Sequence, residues 1–103
     1  MNNKLDQIDH IAIQVKNIKK ALLWYHTNFN CKEIYSDETW AFIEFSNIKL
    51  ALVTEQEHPP HFAIINTKIN LDKKSVKHRD GSISKYIKDI DNNYIELITY
   101  EGD

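Results

Sequence analysis

The sequence predicts an α+β fold of two modules, each in the order strand–helix–strand–strand–strand, with most of the helix missing from the second. Short isoleucine-rich runs alternate apolar and polar residues, as half-buried strands do. One segment has helical periodicity, and the order of elements begins again after residue 60. With 103 residues, we expect one domain over 1–103, with module one at about 5–55 and module two at about 60–101.

Composition and charge exclude several classes of protein. Thirteen Lys and Arg against 15 Asp and Glu leave a formal charge of -2, which gives no basic surface for nucleic acid or an anionic membrane. No apolar run is long enough to span a bilayer, and the N-terminus lacks the apolar region of a signal peptide. Two glycines are too few for a glycine-rich phosphate loop. The single Cys31 favours a cytoplasmic location.

Module one opens with a strand predicted over residues 8–15. Its side chains alternate, so that one face is apolar and the other carries His10. The predicted apolar face consists of Ile11, Ile13 and Val15.

A helix follows, with Asn17 as its predicted N-cap and Asn30 as its predicted left-handed end. The apolar positions that would share one helix face are Ile18, Ala21, Leu22, Tyr25 and Phe29.

The remaining elements are strands and turns. In module one we expect strands at 32–36, 40–45 and 48–54, with a hairpin at 46–47, before a proline-ended linker at 55–60. In module two we expect strands at 61–67, 75–79, 82–88 and 94–100, with turns at 80–81 and 89–93 and no helix over 68–74.

Three side chains suggest a metal site. His10 and His61 open strands at equivalent places in the two modules, and Glu96 interrupts an apolar strand. Two imidazoles and a carboxylate suit a divalent ion such as Mn, Fe, Ni or Zn. The alternative is that the histidines are solvated or hydrogen-bonded strand residues and that Glu96 faces solvent.

Four segments together resemble the vicinal oxygen chelate superfamily, which includes glyoxalase I, bleomycin-resistance proteins, fosfomycin-resistance enzymes and extradiol dioxygenases. Residues 8–15 are similar to the family's opening strand, 17–25 to its helix, and 60–64 to the strand that opens the second module. Residues 88–97, KDIDNNYIEL, are similar to the family's ending and form the most specific match.

The resemblance implies an open, curved eight-stranded sheet around a divalent metal ion bound by His10, His61 and Glu96. Where glyoxalase I has a fourth ligand, a glutamate, this chain has Ala51, so the resemblance is closer to three-ligand members. Tyr86 lies where members often have an aromatic residue, and it is either a ligand-binding hydroxyl or a packed tyrosine.

The implied function is a metal-dependent enzyme that acts on an oxygen-bearing small molecule by isomerisation, epoxide addition or dioxygenation. The alternative is a metal-free protein that sequesters a small molecule, like the bleomycin-resistance members. Lys49 shares the face of Ala51 by period two and either attracts an anionic substrate or is a solvated edge lysine. We also expect a homodimer, because the missing helix would uncover an apolar face formed by Phe62, Ile64, Ile95 and Leu97.

Overall fold

The computed structural model of the chain describes residues 5–65, 76–77 and 82–100. The chain divides into two units: the first is His10–His61, and the second combines Met1–Asp9 with Phe62–Asp103. The boundaries therefore fall inside two strands, β1 (Ile8–Gln14) and β5 (His61–Ile65). The predicted α+β class and its βαβββ modules are confirmed. No helix among the described residues is long and apolar enough to cross a membrane.

The first unit is a four-stranded mixed sheet with one helix. After β1, the chain forms α1 (Ile18–Asn28), β2 (Lys32–Ser36), β3 (Trp40–Glu44) and β4 (Lys49–Val53). The strand order is β2-β3-β4-β1, in which β1 lies parallel to β4 and the other pairs are antiparallel. The predicted hairpin between β3 and β4 closes with a hydrogen bond from the Phe45 N–H to the Ile48 carbonyl at 3.0 Å.

Helix α1 covers one face of this sheet. It begins after the predicted cap Asn17, whose side-chain oxygen accepts a hydrogen bond from the Lys20 N–H at 2.9 Å. Its buried face meets the sheet in one apolar cluster. The buried members of that cluster are Ile18, Leu22, Ala41, Ile43 and Leu52.

The opposite face of the first sheet has a second apolar cluster, and this corrects the prediction for β1. His10 and Ala12, assigned to the polar face, are buried, whereas Ile11 of the predicted apolar face is 41% exposed. The reason lies in the neighbouring strands, since Ala12 packs with Phe42, Ala51 and Val53. Both faces of β1 are therefore covered along part of its length.

The second unit contains the described strands β5, β6 (Val76–Lys77), β7 (Ile83–Lys88) and β8 (Tyr94–Thr99), in the order β5-β8-β7-β6. Strand β5 lies parallel to β8, and the other pairs are antiparallel. The predicted absence of a helix over 68–74 and the predicted turn at 80–81 lie outside the described residues.

The turn between β7 and β8 is organised by Asp89. Its carboxylate accepts hydrogen bonds from the Asn93 side chain and from the backbone N–H groups of Asn93 and Asp91, at 2.8–2.9 Å. These bonds, the one from the Asn93 side chain foremost, hold the pKa of the Asp89 carboxyl below its usual value. Asn92 has φ 67, so it takes the left-handed conformation that asparagine tolerates.

The prediction of a left-handed Asn30 is wrong. Asn92 is the one non-glycine residue with positive φ in the described ranges. Helix α1 instead ends at Asn28, and its cap residue Phe29 is extended at φ -138 and donates its N–H to the Tyr25 carbonyl at 2.9 Å. An extended cap leads directly toward β2, so no left-handed turn is needed.

Adjacent leucines on α1 test the helix packing. Leu22 is 8% exposed and Leu23 is 69% exposed. Leu22→Ala should lower the free energy of unfolding by about 2–5 kcal/mol, because it removes buried methyl groups and leaves a cavity. Leu23→Ala, the matched control, should change it by less than about 0.5 kcal/mol. Urea denaturation followed by circular dichroism measures both, and equal losses would contradict the packing described.

Candidate functional site

Two of the three predicted metal ligands come together within the first unit. His10 on β1 and His61 at the start of β5 are both buried. Their ring centroids are 5.9 Å apart, and the ring planes are inclined at 74°. Imidazoles at this separation can direct nitrogen atoms to a common position, which agrees with the pairing that the sequence predicts.

The linker before β5 fixes the orientation of His61. The His61 Nδ1 lies 2.8 Å from the backbone carbonyl oxygen of Pro59. A carbonyl oxygen only accepts hydrogen bonds, so Nδ1 carries a proton, and in the neutral imidazole the Nε2 lone pair is the one that can bind a metal or accept a hydrogen bond. The linker is itself tied to β1, because the Gln14 Nε2 donates to the His58 carbonyl oxygen at 3.0 Å.

The surroundings of His10 are aromatic and positively charged. The His10 ring meets the Phe42 ring edge-on, with centroids 5.0 Å apart. The Lys49 ammonium nitrogen lies 5.1 Å from the centroid of the same Phe42 ring. In the parallel ladder of β1 and β4, Lys49 is also the register partner of His10. A cation therefore stands on the strand beside this histidine.

The third predicted ligand lies in the second unit. Glu96 on β8 is 3% exposed. Its register partners are Ala63 on β5 and Tyr86 on β7. A carboxylate this buried is stable only when charge or hydrogen bonds compensate for its lost hydration. Its burial excludes the alternative in which Glu96 faces solvent.

Strand β7, the neighbour of β8, carries two hydroxyl side chains on the same face as Glu96. Tyr86, the predicted catalytic residue, is half-buried, and its ring lies 6.3 Å from that of Tyr94. Ser84 is fully buried two residues earlier on the same strand. Because side chains of a strand alternate, Ser84 and Tyr86 share the face of Glu96. The second unit thus presents a polar face around the carboxylate.

The first unit also contains Ala51, where the sequence predicts that a fourth ligand is missing, and two further histidines. Ala51 is buried, pairs with Ala12, and offers no ligand atom. His26 lies exposed on α1, with its Nδ1 3.7 Å from the Cys31 sulfur. His58 lies in the linker with its ring 6.0 Å from that of His61.

Two features escape sequence reasoning. Asp9 is buried in the second unit and accepts a 2.6 Å hydrogen bond from the Tyr100 hydroxyl, a partner 91 positions away. In the first unit, Phe42 lies between His10 and Trp40 in a row of contacting rings. The only signal for that row was the alternation of aromatic residues at the start of β3.

Comparison with known proteins assigns the fold. No family model matches the chain, and no curated protein matches it by sequence. Solved structures do match over nearly the whole chain, and they include members of the vicinal oxygen chelate superfamily. The chain has the fold of that superfamily, as the sequence resemblance implies.

Three structures illustrate the likeness. The hypothetical protein BH1468 from Bacillus halodurans C-125 is 18% identical at a TM-score of 0.77, covering 97% of this chain and 98% of that one. A variant of the Streptomyces coelicolor methylmalonyl-CoA epimerase, in complex with 2-nitronate-propionyl-CoA, is 15% identical at 0.76, covering 96% and 100%. The Mycobacterium tuberculosis epimerase is 14% identical at 0.74, covering 97% and 92%. At these identities the likeness establishes the fold.

Proposed function

We propose that this protein is a metal-dependent enzyme acting on an oxygen-bearing small molecule, with His10, His61 and Glu96 as the metal ligands. Each residue offers one ligand atom, an imidazole nitrogen or a carboxylate oxygen. Two imidazoles and one carboxylate leave coordination positions for substrate oxygens and are compatible with Mn, Fe, Ni or Zn. The metal would act as a Lewis acid on two adjacent substrate oxygens.

The local environment of each ligand fits a divalent ion. All three side chains are buried, and a buried carboxylate gains most from a neighbouring cation. The Pro59 carbonyl fixes the His61 tautomer with Nε2 unprotonated, in the way that backbone carbonyls commonly orient metal-bound histidines.

The continuity of β5 is the observation that carries the proposal. The buried residues of this strand include His61 and Ala63. They are two positions apart, so their side chains point to the same side of the strand. Ala63 is the register partner of Glu96 in the parallel ladder with β8. The strand that begins at His61 therefore pairs, from Phe62 onward, with the strand that carries Glu96.

The residues of the chain have separate roles in this proposal. The Glu96 carboxylate offsets part of the ion's charge, and the imidazoles of His10 and His61 supply neutral nitrogen donors. The Tyr86 hydroxyl, on the face of Glu96, donates a hydrogen bond to a substrate oxygen where negative charge develops. Among the three reaction types, isomerisation is favoured by the similarity to two epimerases.

The first test is metal content. Protein purified without added metal should contain a divalent ion, measured by elemental analysis. His61→Ala and Glu96→Gln should each weaken metal binding by at least the roughly 10- to 100-fold seen for outer-shell partners, because each removes a direct ligand. His26→Ala, which removes an exposed histidine on α1, is the matched control and should leave metal content unchanged.

Circular dichroism of each variant separates ligand loss from unfolding. If folded wild-type protein takes up no divalent ion when titrated with Mn, Fe, Ni and Zn, the metal site is refuted. The metal-free sequestering protein would then be the better account of this fold.

Tyr86 has its own test. When screening of the metal-loaded protein identifies a substrate, Tyr86→Phe should lower kcat by about 10²–10³-fold, the usual cost of losing a hydrogen bond to developing charge. Its metal content should equal that of the wild type. Tyr25→Phe, a hydroxyl deletion on α1, serves as the control. Equal kcat for Tyr86→Phe and wild type would exclude the role.

We also propose a homodimer formed through the second unit. Phe62 pairs with Ile95 and Ile64 with Leu97, so these four apolar side chains share one face, and each is only half-buried. Light scattering at micromolar concentration should give about twice the chain mass of 12.2 kDa. Ile95→Lys should shift the protein to monomer, while Ile90→Lys, at a 98% exposed turn residue, should not. A monomeric wild type would refute the dimer.

The cytoplasmic location stays a prediction based on Cys31.

A further inference from the structure

Strand β1 ends in a side chain that reaches the linker before β5. The Gln14 Nε2 donates a hydrogen bond to the His58 carbonyl oxygen at 3.0 Å, across 44 positions of sequence. Because side chains alternate along a strand, Gln14 projects from the same face of β1 as His10. The strand that carries one proposed metal ligand therefore also holds the segment that leads to the other, His61.

The linker is held on both sides of His58. The backbone N–H groups of Glu57 and His58 donate to the Thr54 carbonyl oxygen, at 2.9 and 3.4 Å, and so form a turn at the start of the linker. The carbonyl oxygen of His58 accepts from Gln14. His58 is thus restrained through its N–H by the linker itself and through its C=O by β1.

Proline transmits the contact with Gln14 to the acceptor of His61. The His58 carbonyl belongs to the peptide unit that joins His58 to Pro59, and a peptide unit is planar. The pyrrolidine ring of Pro59 then restricts φ to about -65°. With the plane held by Gln14 and φ restricted by the ring, the direction of the Pro59 carbonyl depends on one remaining torsion angle. That carbonyl oxygen is the one to which the His61 Nδ1 donates at 2.8 Å.

From this arrangement we infer that Gln14 is a positioning residue for His61. Gln14 holds the peptide unit before Pro59, the Pro59 carbonyl holds a proton on Nδ1 of His61, and Nε2 is left to bind the metal. The inference rests on the proposed function, because His61 is one of the proposed metal ligands. It goes further by giving a role to a residue outside the ligand set, and its first measurement needs no metal.

The tautomer of His61 can be measured in metal-free protein. NMR of nitrogen-labelled histidine at about pH 8, where unperturbed imidazoles are neutral, shows which ring nitrogen carries the proton. In the wild type we expect the Nδ1–H form of His61. Gln14→Glu keeps the shape of the side chain but has no N–H to donate. The ring should then leave the Pro59 carbonyl in part of the molecules, and a second population with the proton on Nε2 should appear.

Two further variants separate the hydrogen bond from other effects. Gln14→Ala, which adds no charge, should shift the tautomer in the same direction as Gln14→Glu. Gln56→Glu is the matched control, because Gln56 is also exposed and lies in the linker itself. It adds the same charge to the same segment and leaves the bond to β1 in place, so its His61 tautomer should equal that of the wild type. Circular dichroism checks that each variant is folded.

Zinc affinity is the second readout. In competition with a coloured zinc chelator, Gln14→Ala should bind zinc roughly threefold to tenfold more weakly than the wild type. This loss is smaller than the roughly 10- to 100-fold cost of removing a partner bonded directly to a ligand, because Gln14 acts through the linker. Gln56→Glu should bind zinc as the wild type does.

The two readouts distinguish failure of the inference from failure of the proposed function. An unchanged His61 tautomer in both Gln14 variants overturns the inference, and so does an equal change in Gln56→Glu. Zinc binding by the wild type would leave the proposed function standing in either case. A wild type that binds no divalent ion refutes the proposed function, whereas a tautomer that shifts only in the Gln14 variants supports the positioning role by itself.

Discussion

The parallel pairing of β1 with β4 is the constraint on which the first unit depends. This register sets His10 opposite Lys49 and Ile13 opposite Leu52. Leu52 is buried under α1, and Ile13 packs against the same cluster, so the helix face of β1 is determined by apolar contacts. A slip of one residue would turn Ile13 away from the helix and His10 toward it. The packing of the helix thus fixes the direction of a proposed metal ligand.

Local patterns were sufficient to predict much of this fold. The period of two in residues 8–15 predicted β1, and the helical spacing after Asn17 predicted α1 together with its cap. The burial of His10 and Ala12 could not be predicted in the same way. It depends on Phe42 of β3 and on Ala51 and Val53 of β4, which contact β1 only in the folded sheet. Burial of a face is a non-local property, whereas alternation along a strand is local.

The same distinction between local and non-local properties applies to the candidate site. The types and positions of His10, His61 and Glu96 were visible in the sequence, because histidines opening strands and a carboxylate inside an apolar strand are local anomalies. The contacts that orient them were not visible. Lys49 is the neighbour of His10 because of the register between β1 and β4. The rings of His10 and His61, 51 positions apart in the chain, lie close together only in the folded first unit. Sequence reasoning therefore identified the chemical groups, and tertiary structure supplied their environment.

The hydrogen bond between His61 and Pro59 has an evolutionary consequence. Its acceptor is a main-chain oxygen, which every amino acid at that position would provide. Point substitutions at this position therefore leave the acceptor in place, whereas an insertion or deletion between Pro59 and His61 displaces it from the ring. The information that selects the His61 tautomer is stored in the spacing of two residues between the carbonyl oxygen and the ring. Two homologues that keep this spacing and the local backbone conformation would orient this histidine alike, even if the rest of their linkers differed.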